Sequence, residues 1–109
     1  MNGIIINAKN IKLTPPLEVF INQKIGSVLK IIKDWPMEIK VEVSRPSKHH
    51  AKGYVFYAEA NLKIGRTLLR AEAYHIDIRS AIVDVRNELK IQIKKFKEKR
   101  SDSERQPKK

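Results

Sequence analysis

YVFYAEANLKIGRTLLRAEAYHIDIRSAI, residues 54–82, holds two segments of period two followed by the start of one of period 3.6, and their order decides the fold. In the first segment Phe56, Ala58, Ala60 and Leu62 alternate with Tyr57, Glu59, Asn61 and Lys63, which describes a strand with one apolar and one wet face. Ile64-Gly65-Arg66 is a short hairpin connection, and LLRAEAYH returns as the partner strand. Asp77 then stands where a helix needs a cap. Beyond it Ile78, Ile82, Val85, Leu89, Ile93 and Phe96 recur at helical spacing, over some 24 residues or ~36 Å.

Upstream, Met37, Ile39, Val41 and Val43 alternate with Glu38, Lys40, Glu42 and Ser44, a further strand, and RPSKHHAKG is the loop that joins it to the hairpin. Earlier still, Thr14 and Pro15 form a helix N-cap and first-turn pair, since proline's missing N–H is not needed there. Leu17, Ile21, Ile25, Val28 and Ile32 predict roughly five helical turns ending near Asp34, Trp35 and Pro36. Gly26 costs that helix ~1 kcal/mol relative to alanine. Ile4 to Asn7, rich in branched residues, is the first strand.

The order is therefore β-α-β-β-β-α. It predicts an α+β two-layer sandwich: one four-stranded sheet, both helices on one face, the other face open to solvent. An RRM would run β-α-β-β-α-β with paired aromatics on its central strands, whereas only Tyr57 is well placed here. The double-stranded-RNA-binding module runs α-β-β-β-α, and this chain has that order with one strand added in front.

With 109 residues, 41% of them hydrophobic, the chain can close one modest core. Residues 1–100 are expected to form a single domain, and SDSERQPKK, 101–109, a disordered, basic-ended tail. No cysteine is present, which removes disulfides and thiolate metal sites and fits a cytoplasmic protein. MNGIIINAKN is too short in apolar residues for a signal peptide, and no stretch approaches a membrane span.

The charge is +11, with a pI near 10.0. Self-repulsion of that size points to a polyanionic partner, with a basic solvated surface as the bland alternative. RNELKIQIKKFKEKR, residues 86–100, carries seven cations and two anions. Spaced at about 100° per residue from Ile78, the side chains of Arg79, Arg86, Lys90, Lys94 and Lys97 fall between roughly 80° and 160°, on one flank of the stripe. Asp84 and Glu88 fall on the opposite flank. Such sorting suits a phosphate backbone better than a solubilising surface, where signs would alternate. A coiled-coil-like flank and an amphipathic helix lying on a membrane are the competing readings; the second is disfavoured because the apolar stripe must cover the sheet.

The loop adds Arg45, Lys48, His49, His50 and Lys52 with no acidic residue, a second phosphate contact at the end of a hairpin. Adjacent histidines rarely converge on one ion, and neither a third ligand nor a nucleophile with a base stands at useful spacing, so no metal, cofactor, small-molecule substrate or catalytic role is expected. Glu59 and Glu72 could face one another across the hairpin, but ion pairs with Lys63 or Arg70 are the expected arrangement.

Thr14-Pro15-Pro16-Leu17 opening the first helix, RPSKHHAKGYVFYAEANL, the glycine hairpin, LLRAEA and Asp77-Ile78-Arg79-Ser80-Ala81-Ile82 entering a long basic helix together resemble the ribosome hibernation-promoting factor and ribosome-associated translation inhibitor family, over about residues 1–100. The resemblance implies binding to ribosomal RNA on the intersubunit face of the small ribosomal subunit, in the path of messenger and transfer RNA. Inhibition then comes from occlusion, without a catalytic residue. It also implies that Lys24 and Lys30 of the first helix and Lys95 of the last are RNA contacts, because they match basic family positions. The chain departs from the family at Ala8, Ser27, Glu88 and Ile91, where glycine, lysine, lysine and arginine are usual. Ending at Lys109, it is expected to be a short form, monomeric when free. A general RNA-binding or RNA-chaperone module is the alternative, and a small nuclease using His49 or His50 a more distant one.

Overall fold

The computed structural model describes residues 3–46 and 56–105. The elements follow the predicted order: β1 (Ile5–Lys9), α1 (Pro15–Leu29), β2 (Met37–Ser44), β3 (Phe56–Ile64), β4 (Thr67–His75) and α2 (Ile78–Arg105). The four strands lie in sequence order in one sheet. β2, β3 and β4 pair antiparallel, while β1 pairs parallel to β2 because α1 crosses over between them. Gly65 has φ +59°, and Arg66 has no positive φ, the pattern of a II′ hairpin turn.

Both helices pack on one sheet face. Ile21 and Ile25 of α1 and Leu89 and Ile93 of α2 are fully buried against Val43, Ala60 and Leu62 of the sheet. The small residues Ala58, Ala60 and Ala71 on β3 and β4 leave room for α2 to lie close to the strands. Thr14 Oγ1 accepts from the Leu17 N–H at 3.4 Å, and Asp77 Oδ2 accepts from the Ser80 N–H at 3.0 Å, so both expected caps are formed.

Two helix boundaries differ from expectation. α1 does not continue to Asp34; it ends at Leu29 and tightens into a 3₁₀ turn, Lys30–Ile32. That turn drives Ile32 into the core and brings Trp35 edge-on to Phe96, with ring centroids 5.2 Å apart. At the other end α2 runs for 28 residues and takes in Ser101–Arg105, the first part of the segment expected as tail. Extending an existing helix costs far less than starting one, and no glycine or proline interrupts the sequence between Ile78 and Gln106.

Each helix runs antiparallel to β1, β2 and β4, and so the two helices run parallel to one another. Their N-termini share one end of the molecule with Arg45, at the close of β2.

Candidate nucleic-acid interface

Contacts at both ends of α2 fix which way its cationic flank faces. Near the start, the Arg79 guanidinium lies 4.9 Å from the centroid of Phe20 on α1. Near the end of the packed region, Lys97 Nζ donates to the Ile31 carbonyl just after α1, at 3.2 Å. The flank containing Arg79, Arg86 and Lys97 therefore borders α1, and exposed Lys90 and Lys94 rise from it toward solvent. From α1, Lys24 joins the same seam, its Nζ 5.5 Å from the Phe20 centroid. Arg86 is half-buried, and its Nε donates to Asn87 Oδ1 at 2.8 Å.

The opposite flank of α2 meets the sheet edge, where Gln92 Nε2 donates to the Arg70 carbonyl of β4 at 2.8 Å and to Glu88 Oε2 at 3.0 Å. Helical spacing puts Lys95 on that side, with Asp84 and Glu88, away from the other candidate cations of α2. Lys30 is exposed at the C-cap of α1, where its charge also complements the helix dipole. Arg45 is exposed, with its guanidinium 5.8 Å from the Phe56 centroid. Lys48, His49, His50 and Lys52 lie outside the described residues.

The open sheet face is built differently. Its exposed rows carry Lys9, Lys40, Lys63 and Arg70 against Glu38, Glu42, Glu59 and Glu72, equal numbers of each sign. Register sets Glu42, Glu59 and Glu72 side by side on neighbouring strands, an unfavourable arrangement unless something bridges them. Arg70 and Tyr57 bridge two of the three, Glu59 and Glu72. Arg70 Nη2 is 3.4 Å from Glu59 Oε1 and 3.3 Å from Glu72 Oε1, and the Tyr57 hydroxyl lies 2.7 Å from the same Glu72 oxygen and also bonds Glu59. Burial and the two carboxylates raise the Tyr57 phenol well above its usual pKa. The Tyr57 hydrogen bond in turn holds the Glu59 carboxyl below the usual carboxylate range, against the opposing effect of burial. Facing glutamates and ion pairs with Arg70 both occur, in one network. Lys63 instead stands opposite Glu38.

A four-stranded sheet backed by two parallel helices, with balanced charge on its bare face and cations along the helical seam, defines a two-layer α+β domain. The chain belongs to the sigma 54 modulation protein / S30EA ribosomal protein family, which matches residues 4–101. This is the family of ribosome hibernation-promoting factors that its sequence blocks resemble, and its members are ribosome-associated and non-enzymatic. Among solved structures, the Protein Y N-terminal domain of Thermus thermophilus is similar at 24% identity and a TM-score of 0.71, over 88% of this chain and 99% of that one. A ribosomal subunit interface protein from Coxiella burnetii is similar at 17% identity and a TM-score of 0.73, over 87% of this chain and 97% of that one. No curated protein matches the chain. Among the described residues no helix is long and apolar enough to cross a membrane.

Proposed function

We propose that this protein binds the small ribosomal subunit through ribosomal RNA, occupies the decoding region, and keeps messenger and transfer RNA out. The observation that carries the reading is the partition of charge in a member of a ribosome-associated family. Among the described residues, the cations that exceed the acidic residues lie mostly on the helical layer and its ends, while the open sheet face is balanced. Lys24, Arg79, Arg86, Lys90, Lys94 and Lys97 line or overlook one seam, so a single RNA surface meets them together, with Arg45 and Lys30 at its two ends. Phosphate contacts hold the domain, and a rigid folded body in the channel excludes other ligands without making or breaking a bond. Such a factor works in the cytoplasm, as a monomer until it meets the ribosome.

The test is sedimentation of purified protein with ribosomes and separated subunits at physiological salt, with translation measured in parallel. The expected result is migration with the small subunit and a fall in peptide synthesis that saturates with occupancy. Equal affinity for any folded RNA at matched salt would establish the RNA-chaperone reading instead.

A further inference from the structure

One cation of the seam differs in its setting from the rest. Arg79 is exposed, yet it lies over the Phe20 ring, and the two residues border a shallow groove of about 440 Å³ whose wall is Pro15, Pro16 and Val19 at the start of α1, with Gln23 one turn further along the helix. Val19 is 53% exposed, which is unusual for a large apolar residue on a helix that otherwise turns such residues inward. A phosphate gains little from prolines and a valine, which offer no side-chain donors and strip its hydration, whereas the Gln23 amide can meet the polar edge of a base. An unstacked nucleobase suits this surface: its faces are apolar and polarisable, its edges polar, and it stacks on aromatic rings and on the flat guanidinium of arginine. Cations flank the groove, with Lys24 Nζ 5.5 Å from the centroid of the same ring and Arg86 two turns along α2, so the phosphates on either side of an extruded base have charge to meet.

We propose that Phe20 and Arg79 form a stacking shelf that receives one unpaired base of the bound RNA in the Pro15–Val19 groove. Phe20 holds the guanidinium flat, and Arg79 presents its outer plane to the base. This deepens the ribosome-binding reading and rests on it. Arg79 therefore acts through its shape, whereas Lys90 and Lys94 act as point charges.

The test compares variants in binding to purified small ribosomal subunits across a salt series. Arg79→Lys keeps the charge and removes the plane; it sits on an exposed position, so folding is retained. It weakens binding roughly tenfold at every salt concentration, leaving the slope of log affinity against log salt unchanged. Phe20→Leu, with its fold checked by circular dichroism, does the same. Lys63→Arg, on the open sheet face, binds as the parent does. If Arg79→Lys binds like the parent, the shelf is wrong while the ribosome reading stands. If the parent itself ignores the subunit, the ribosome reading falls and the shelf falls with it.

Discussion

Tyr57 shows how a single hydroxyl makes an otherwise unfavourable register possible. Without it, Glu59 and Glu72 would face each other across β3 and β4 with only an exposed arginine between them. Tyr57→Phe should destabilise the fold by about 1–2 kcal/mol, read from chemical denaturation at neutral pH. Because the Glu59 carboxyl titrates below its ordinary value in the folded state, its stabilisation is present at neutral pH and is lost as pH falls below the unfolded value of about 4.3 and through the folded one. In Tyr57→Phe that loss should begin at higher pH, since the largest cause of the lowered value is gone. The phenol itself has the opposite sign: its contribution is complete below about pH 10 and is lost above it. At the hairpin, a Cβ on Gly65 meets nothing within 4 Å, so the cost of Gly65→Ala is torsional, about 1–2 kcal/mol, and should appear as a lowered melting temperature with unchanged spectra. The need for glycine was legible from Ile64-Gly65-Arg66 between two alternating runs. The Tyr57 network was not, because alternation shows which residues share a face but leaves the register between two strands, and so the opposing pair, undetermined.

For the elements, the periodicity of α2 was enough to sort its cations to one flank, yet not to say what that flank borders. That depends on the parallel crossover through α1, which puts both helices in the same direction and turns Arg79 and Lys97 toward Phe20 and Ile31. Lys95 illustrates the limit of a position-by-position match: one residue from Lys94 in sequence, it is about 100° away around the axis. The 3₁₀ end of α1 was also hidden, since Val28 and Ile32 keep helical spacing through a change of helix type. Lys90→Ala and Lys94→Ala should each weaken binding to the small subunit and flatten the salt slope by about 0.7–0.9 if the lost contact is to phosphate. Lys95→Ala should leave the slope as it is, a comparison made in the same titration.

In the molecule as a whole, packing and charge end at different places along α2. Among the described residues the last that reach the core are Ile93 and Phe96, while the sequence of the helix carries cations to Arg105, so the helix outruns the packed domain, and the described part is 58 Å long and 18 Å thin. Ending the chain after Lys97 should therefore move the melting temperature by no more than a few degrees, because no core side chain among the described residues is removed, while reducing the salt dependence of binding. The balanced sheet face has a further effect. With the surplus positive charge of the described residues mostly on one layer, their centre of charge is displaced from their centre of mass, and they carry a permanent moment. Any polyanion then exerts a torque as well as a pull, turning the helices toward itself before contact over the ~8–10 Å within which such fields survive in salt.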